Sequence, residues 1–348
     1  NALQDLAANG ASPNAFTSSA LTGYYFESTE KFCDNLKILL SFVSIPWFTQ
    51  ESVDKEQGII GQEIRMVEDD PDNQVFYGLM ECLFDHHPIR VPIAGTQESI
   101  SHITAETLYA CHKAFYTPSN MVLTVAGDVE PEEVVRIARE ILPKEPGGHI
   151  ERDYGGEEDG AAAKPEKELR MEVSTPIFQL GFKAEPAPAG EEHLRRQLMG
   201  ELACEALLDN SSPLYARLYS EGLINKNFGY GFELYPGCAL MAAGGESCDP
   251  RAVRDAVLAE GARIAQEGVD EGLFRRLKKG VYGAKVRGLN SFENVCIELA
   301  QAHFAGVEYL TFPEVFDGIS KADVEDCIRR WVTPERCGLA VVRPGEEA

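Results

Sequence analysis

Two kinds of hydrophobic spacing along the chain separate segments that should form strands from segments that should form helices. Residues 14–26 alternate β-forming side chains with polar ones, the pattern of a strand with one buried face. Apolar residues instead recur at helical spacing in residues 30–43, 51–67, 74–84 and the segment that begins at Ala105. This order, without strict strand–helix–strand alternation, predicts an α+β fold of mainly antiparallel sheets with helices packed on one face.

One stretch of this pattern occurs twice. Residues 103–125 read ITAETLYACHKAFYTPSNMVLTV and residues 319–341 read ISKADVEDCIRRWVTPERCGLAV, a separation of 216 positions (319 − 103). Each copy predicts one helix, a Thr-Pro stop and one closing strand. The same separation places QESVD, residues 50–54, on QEGVD, residues 266–270. Two matches at one spacing indicate a tandem duplication of two similar domains.

A segment of different composition separates the two copies. Residues 146–168 contain five glycines and three alanines among many charged residues and almost no large apolar ones. Such a composition is typical of a linker. The predicted domains are therefore residues 1–145 and residues 169–348.

The second copy begins with elements that the first copy does not contain. A strand is predicted near Arg170, followed by an amphipathic helix over residues 191–209. Subtracting 216 places the equivalent strand and helix before Asn1. We therefore expect the first domain to lack its N-terminal strand and helix. The chain opens at Asn1 with neither an initiator Met nor a leader sequence, so we also expect that Asn1 is not the natural start.

Composition narrows the classes of partner and the cellular compartment. The net charge of −24 argues against a nucleic-acid or anionic-membrane partner and suits a cationic peptide. No apolar run approaches the length of about 18 residues that a membrane span needs. Nine cysteines, an odd number without a CxxC pair, predict reduced, buried thiols in a cytoplasmic protein.

The main candidates for chemistry are two glutamates in the predicted helix 51–67. With Val53 at zero on a helical wheel, Ile64 falls at about 20°, Glu56 at about 300° and Glu63 at about 280°. Both carboxylates should therefore lie within the apolar arc, where a charge is costly unless a metal ion or buried cations compensate it. The alternative is a solvated helix edge, the usual place for two glutamates at this spacing.

The second copy does not repeat this pair. At the 216-residue separation, Gly272 takes the place of Glu56 and Lys279 takes the place of Glu63. Whatever the two carboxylates do, only the first copy does it.

Four runs in the first copy resemble one known family when they are taken together. They read NGASPNAFTSSALTGYYF, VDKEQGIIGQEIRMVEDDP, HPIRVPIAGTQESISHIT and FYTPSNMVLTVAGDV. Their sequence and order resemble the insulinase and pitrilysin group of zinc peptidases, close to the mitochondrial processing peptidase type and to a bacterial branch of zinc proteases. The resemblance covers essentially the whole chain, as an active-type half, a linker and a degenerate half.

The resemblance implies a zinc site that this sequence contains only in part. In the family, two histidines of a His-x-x-Glu-His helix and a distal glutamate hold zinc, and a water polarised by the metal attacks the peptide carbonyl with the motif's glutamate as general base. Carried over, Glu63 is the metal ligand and Glu56 the supporting acid. No His-x-x-Glu-His occurs here, so the histidines are expected before Asn1. The chain alone should then neither hold zinc tightly nor cleave peptides.

Two functions remain open at this point. The first is a zinc-dependent endopeptidase that acts on peptides or small unfolded proteins in its full-length form. The alternative is a non-catalytic partner subunit or peptide-binding homologue of such an enzyme. For either one, the resemblance implies a homodimer or a heterodimer with a related subunit.

The resemblance also implies where a peptide binds. In the family, the strand that corresponds to residues 14–26 is an exposed edge to which the substrate adds as a further strand, so Asn14, Ala15 and Phe16 are candidate binding residues. The alternative is an ordinary sheet strand.

In the second copy, the family places an Arg and a Tyr that reach the substrate. Here Tyr219 stands where the Arg is expected and Asn225 where the Tyr is expected, with Arg217 and Tyr230 nearby but out of step. Arg217, Tyr219 and Tyr230 are therefore weak candidates.

Overall fold

The structure, a computed structural model, describes residues 2–145, 147–148 and 150–345. Two positions of the predicted linker, Pro146 and His149, lie outside the described residues, as do Asn1 and residues 346–348. The first part of the chain forms seven helices and two strands within the described residues: α1 (Ala2–Ala8), β1 (Ser12–Thr17), β2 (Thr22–Glu27), α2 (Phe32–Ser44), α3 (Gln50–Asp69), α4 (Pro71–Leu83), α5 (Gln97–Ser101), α6 (Ala105–Phe115) and α7 (Pro131–Ile141).

The second part is richer in strands. Its described residues form β3 (Glu166–Met171), β4 (Ile177–Ala184), α8 (Glu191–Leu208), α9 (Pro213–Ser220), β5 (Gly229–Tyr235), β6 (Cys238–Glu246), α10 (Pro250–Glu267), α11 (Glu271–Gly288), α12 (Phe292–Phe304), α13 (Phe312–Asp317), α14 (Lys321–Trp331) and β7 (Cys337–Pro344). Short 3₁₀ turns connect several of these elements.

The chain folds into two compact units that cross the predicted domain boundary. Unit 1 consists of Asn1–Ile64, Ile93–Arg152 and Gly288–Phe304, and unit 2 consists of Arg65–Pro92, Asp153–Arg287 and Ala305–Ala348. Unit 1 thus includes α12 from the second sequence half, and unit 2 includes α4 from the first half. Helix α4 follows α3 as α12 follows α11, so the two helices take equivalent places in the element order, and the two halves exchange one helix each.

Unit 2 is built on a five-stranded sheet. The strand order is β3-β7-β4-β6-β5, and every neighbouring pair is antiparallel except β3 with β7. Helices α8 and α14 of the second half pack on the sheet, where Phe232 stacks on Trp331 with ring centroids 5.2 Å apart. Helix α4 packs on β3, β4 and β7. The predicted α+β class with mainly antiparallel sheets is confirmed.

The apolar face of α4 forms a core with this sheet. A cluster of buried side chains joins the helix to strands β6 and β7: Val75, Leu79, Met80, Leu83, Leu240, Ala340 and Val342. Gly181 of β4 leaves room for the helix, because a Cβ there would lie 2.9 Å from Leu83 and 3.0 Å from Leu79. Each buried leucine of this kind stabilises the fold by about 1.5–3 kcal/mol.

Unit 1 contains a smaller sheet. Strands β1 and β2 form an antiparallel hairpin, and α2 packs against α7 over the buried side chains Leu36, Leu40 and Ile137. Phe26 of β2 and Leu123 are half-buried against the same cluster. The predicted closing strand at residues 121–125 does not form a strand, although its equivalent β7 does.

The local signals of the duplicated stretch are the same in both copies. Thr104 and Ser320, which are 216 positions apart, each begin a helix with a capping box, in which the side chain accepts from the backbone N–H three residues later. Helices α6 and α14 then end at equivalent residues, and a 3₁₀ turn begins at Pro118 and at Pro334. These short-range contacts set the helix limits in both units.

Part of the predicted linker is fixed to unit 2. Glu158 accepts hydrogen bonds from the backbone N–H groups of Asp85, His86 and His87 and an ion pair from Lys183 at 2.7 Å. The two charged side chains are only 9% and 5% exposed. Burial alone would raise the pKa of Glu158, but these bonds outweigh it and lower the pKa to about 2.

Two composition-based predictions can be compared with this fold. In the part of the chain that the structure describes, none of the helices has the length and apolarity needed to span a bilayer. All nine cysteines are free thiols, and five of them are buried. Cys111 and Cys248 are exposed, so the prediction of buried thiols is wrong for these two.

Candidate functional site

Helix α3 carries the two candidate acids and is held in unit 1 by its opposite side. Val53, Gly61 and Ile64 form the buried face. Between them, the Gln57 amide donates to the backbone carbonyls of Ile100 and Ile103 at 2.9 and 2.8 Å. The inner side of the helix is therefore fixed by apolar packing and by a polar side chain that satisfies backbone acceptors.

Glu56 and Glu63 are exposed, and the prediction that they lie inside the apolar arc is wrong. The buried arc extends from Val53 toward Gly61, at about 80° on the wheel, and so away from the two acids. Gly61 therefore completes the inner face on the side of Val53 that lies away from the glutamates. The proposed roles of Glu63 as metal ligand and Glu56 as supporting acid stay predictions.

The exposed side of α3 has an unusual composition for a solvated surface. Glu56 and Glu63 lie about two turns apart on one side of the helix, and Ile59 lies between them with half of its surface exposed. Neither carboxylate has a hydrogen-bond or ion-pair partner among the described residues. The side thus presents two uncompensated acceptors beside a large apolar group.

The residues present do not fit a zinc ion without further ligands. A catalytic zinc site normally has three protein ligands, whereas no group of three His, Cys, Asp or Glu side chains in the described ranges is placed to hold a metal ion. Glu63 is an unpartnered carboxylate and supplies one ligand of the right chemistry.

The second candidate site is the outer edge of β1. In the described part of the chain, β1 pairs only with β2, in the register Asn14 with Tyr25, Ala15 with Tyr24 and Phe16 with Gly23. Proline at position 13 suits an edge strand, since it has no N–H to donate. The other side of this strand is available to an added strand.

The hairpin turn shows which backbone groups point outward. The Ser18 N–H donates to the Leu21 carbonyl at 2.8 Å, so this pair closes the ladder. Hydrogen-bonded and non-hydrogen-bonded pairs alternate along antiparallel strands. Asn14 and Phe16 therefore bond to β2 through their backbones, while the N–H and C=O of Ala15 face outward.

A chain of hydrogen bonds joins this edge to α12. The Asn14 amide Nδ2 donates to the Tyr25 hydroxyl at 3.1 Å, and that hydroxyl donates to Glu293 Oε1. The hydrogen bond to Glu293 raises the pKa of Tyr25. The prediction of a single strand over residues 14–26 is wrong, because the chain forms two strands with a turn between them, and Tyr25 lies on β2 opposite Asn14. The predicted site residues include neither Tyr25 nor Glu293, which lies 268 positions from Tyr25 and has no local signal.

In unit 2, the weak candidates do not form one site. Tyr230 on β5 lies with its hydroxyl 3.3 Å from Glu205 Oε2 and 3.2 Å from Asp209 Oδ2, on and after α8. Arg217 and Tyr219 are exposed on α9, and Tyr219 stacks on Tyr215. Tyr230 is thus occupied within unit 2, while Arg217 and Tyr219 present their side chains to solvent.

The carboxylates around Tyr230 titrate in opposite directions. Burial and the nearby charge of Asp209 raise the pKa of Glu205. Burial would also raise the pKa of Asp209, but hydrogen bonds from Ser211 and Tyr230 outweigh it and lower that pKa. Of the two carboxylates beside the tyrosine, Asp209 is therefore the stronger acid.

Comparison with known families assigns both halves of the chain. The family described as "Insulinase (Peptidase family M16)" matches residues 2–97, and the family described as "Peptidase M16 inactive domain" matches residues 102–281. The two matches follow each other in the order that the sequence resemblance predicted.

Individual relatives agree with these family matches. The uncharacterized zinc protease YmfH of Bacillus subtilis is 36% identical over 98% of this chain and 80% of its own length. An uncharacterized zinc protease of Mycobacterium leprae is 26% identical over 98% of this chain and 77% of its own. The crystal structure of an M16-like peptidase from Alicyclobacillus acidocaldarius superposes with a TM-score of 0.93 at 29% identity, covering 99% of this chain and 82% of that one.

Proposed function

Because this chain belongs to the insulinase family of peptidases (peptidase family M16), we propose that it is part of a zinc-dependent endopeptidase. Its substrates are peptides or small unfolded proteins. In this proposal Glu63 is a metal ligand, Glu56 supports it, and two histidine ligands come from residues outside the present sequence. The names of the relatives, which include the words zinc protease, support the choice of metal.

The observation that carries the proposal is the outer side of α3. Glu56 and Glu63 share one side of a helix whose other side is anchored by Gln57, and neither acid is paired with a cation of the described chain. A carboxylate fixed by a rigid helix and free of protein cations is available to a metal ion. The exposed Ile59 between the two acids suits a surface that packs against a further element.

The edge of β1 supports the peptide part of the proposal. Backbone pairing at Ala15 would hold an extended peptide with little regard to its side chains, as a peptidase for unfolded chains requires. Asn14 and Phe16 contribute side chains next to the peptide, and the net charge of −24 favours basic substrates.

The zinc site is tested by metal content and peptide hydrolysis of the full-length gene product. Glu63→Gln should lower zinc occupancy and hydrolysis by about 100-fold or more, because a neutral amide is a poor zinc ligand. Glu56→Gln should lower both by roughly 10- to 100-fold, the range for residues that support a ligand. Unchanged zinc content and hydrolysis in Glu63→Gln would show that the ligand assignment is wrong.

Glu51→Gln is the matched control for both variants. Glu51 is also an exposed glutamate of α3 but lies near 160° on the wheel, away from the two candidates. It should leave zinc content and hydrolysis at wild-type values. An equal loss in all three variants would indicate a general effect of charge on the helix.

The second candidate is a non-catalytic partner subunit or peptide-binding homologue. The observation that favours it is the description of the family that matches residues 102–281 as an inactive domain. This candidate predicts peptide binding without zinc and without hydrolysis by the full-length gene product. We also propose a cytoplasmic location. We further propose that the protein forms a homodimer or a heterodimer with a related subunit, and light scattering of the purified protein would measure the mass of that assembly.

A further inference from the structure

The outward N–H of Ala15 already has a partner within the hairpin. Asn14 Oδ1 accepts a hydrogen bond from the Ala15 N–H at 2.9 Å. This N–H belongs to a non-hydrogen-bonded pair of the ladder, so it is the group that an added strand would use. The side chain of the preceding residue therefore occupies the position that a peptide carbonyl would take.

The amide nitrogen of the Asn14 side chain also has a hydrogen-bond partner. Asn14 Nδ2 donates to the Tyr25 hydroxyl, and Tyr25 donates to Glu293 on α12. Because Glu293 accepts the only hydroxyl proton of Tyr25, the Tyr25 oxygen is left as an acceptor and fixes the orientation of the Asn14 amide. The carboxamide oxygen is thereby directed to Ala15 and not to solvent.

We propose that Asn14 is an internal cap on the edge of β1, positioned by Tyr25 and Glu293, which a peptide strand must displace in order to pair with Ala15. This inference rests on the proposed peptide site and adds a residue that regulates it. Unpaired strand edges invite association with other chains. With no N–H at Pro13 and a capped N–H at Ala15, this edge resists pairing until a peptide offers more than one hydrogen bond.

The cap competes with the peptide and therefore weakens binding. Displacing it costs one protein hydrogen bond, which corresponds to a factor of about threefold to tenfold in an equilibrium constant. Variants without the cap should bind a peptide more tightly, which is opposite to the loss expected from removing an ordinary binding residue. The direction of the change in peptide affinity therefore distinguishes a cap from an ordinary binding residue.

The first experiment needs no peptide. Amide hydrogen exchange at Ala15 is followed by NMR on full-chain protein labelled with ¹⁵N-alanine. Asn14→Ala should accelerate exchange at Ala15 by about threefold to tenfold, and Tyr25→Phe should accelerate it by a smaller factor, because the cap remains but loses its support. Equal exchange in the wild type and Asn14→Ala would overturn the proposal.

Tyr24→Phe is the matched control. Tyr24 is the neighbouring tyrosine of the same strand, and its hydroxyl bonds to the Tyr116 hydroxyl at 2.7 Å and not to Asn14. It should leave exchange at Ala15 unchanged. Equal acceleration in Tyr24→Phe and Tyr25→Phe would mean that the hairpin as a whole had loosened and that no specific cap exists.

The second experiment measures competition. The probe is a short fluorescein-labelled peptide of alternating lysine and valine, and the dissociation constant is obtained from fluorescence anisotropy. Asn14→Ala should lower the dissociation constant by about threefold to tenfold, whereas weaker binding would overturn the competition. If neither the wild type nor Asn14→Ala binds the peptide, the proposed peptide site and the proposed competition are both wrong. Faster exchange at Ala15 in Asn14→Ala would still establish the hydrogen bond from Ala15 to Asn14 as a cap.

Discussion

Helices α4 and α12 are equivalent in sequence position but differ in what they bury. Helix α4 has six buried residues, among them Leu79 and Leu83, and packs on the five-stranded sheet of unit 2. Helix α12 has no buried residue, and its contacts in unit 1 include hydrogen bonds at Tyr25 and Thr124. How much of an apolar helix face is buried thus depends on what lies opposite it, which for α4 is a five-stranded sheet.

The closing strands show the same difference. β7 lies between β3 and β4 and is almost entirely buried. The equivalent residues 121–125 are half-buried and form no strand. Within the described residues of unit 1, β1 and β2 pair with each other and this segment pairs with neither. Strand formation is therefore a property of the pair and not of one segment.

The largest effect is expected from shortening equivalent apolar side chains in the two helices. Leu79→Ala should destabilise unit 2 by about 3–5 kcal/mol, since it leaves a cavity in a filled core. Val295→Ala, 216 positions later on α12, should cost about 1 kcal/mol or less because Val295 is half-buried. Urea unfolding of Leu79→Ala in a Trp47→Phe background measures the loss in unit 2, with the buried Trp331 as the probe.

A similar loss of stability in the two variants would contradict the proposed difference between α4 and α12. If Leu79→Ala and Val295→Ala lowered stability equally, α12 would be as tightly packed as α4. In unit 1, the effect of Val295→Ala is measured by amide hydrogen exchange at Leu36, Leu40 and Ile137, whose side chains are buried.

The next largest effect on stability is expected at Glu158, in the predicted linker segment that contacts unit 2. Glu158→Gln should destabilise unit 2 by about 3 kcal/mol at neutral pH, because it leaves Lys183 charged and unpaired in a buried position. The pKa of Glu158 is lowered from 4.5 to about 2, so its stabilisation is complete above its ordinary pKa and is lost as the pH falls through about 2. Urea unfolding as a function of pH should show the two proteins converging in that range.

Glu157→Gln is the control for this prediction. Glu157 is the adjacent glutamate and is exposed, so its replacement should change stability by less than about 0.5 kcal/mol at every pH. A pH-independent loss in Glu158→Gln would argue that hydrogen bonding to the backbone, and not charge, holds the segment.

The smallest effect is expected at Glu205, on helix α8 of unit 2. Its pKa is raised, so the protonated form is favoured in the folded protein, and its contribution to stability is present below its ordinary pKa and lost as the pH rises through the raised value. Glu205→Gln should therefore stabilise unit 2 slightly at neutral pH, by about 1 kcal/mol or less, and have no effect in acid. Thermal unfolding at both pH values measures this, and destabilisation at neutral pH would contradict it.

Much of the fold could be predicted because its signals are local. Thr104 and Ser320 cap helices in both copies, and Pro118 and Pro334 begin the turns that follow them. Each of these contacts joins residues within one helical turn, so the pattern of side chains is enough to place it. The resemblance to the family, and not the local pattern, predicted that Asn14, Ala15 and Phe16 lie on an edge strand, and their binding of peptide stays a prediction.

The orientation of α3 could not be predicted with the same success. The wheel placed Glu56 and Glu63 inward, because it counted apolar side chains and gave no weight to Gly61 or to the amide of Gln57. In the structure, Gly61 and Gln57 both face residues 97–103. Gln97 donates to the Gly61 carbonyl, and Gln57 donates to the Ile103 carbonyl. A polar residue whose hydrogen bonds are satisfied is as suitable for an inner face as an apolar one.

Short-range spacing was thus sufficient to predict the helix limits and the duplication, and the sequence motifs together indicated the family. Folding in three dimensions established the exchange of α4 and α12, the buried pair of Glu158 with Lys183, and the hydrogen bonds that orient Asn14. The reason is the distance along the chain. Capping and alternation involve near neighbours, whereas Tyr25 meets Glu293 across 268 positions, and no local pattern specifies such a contact.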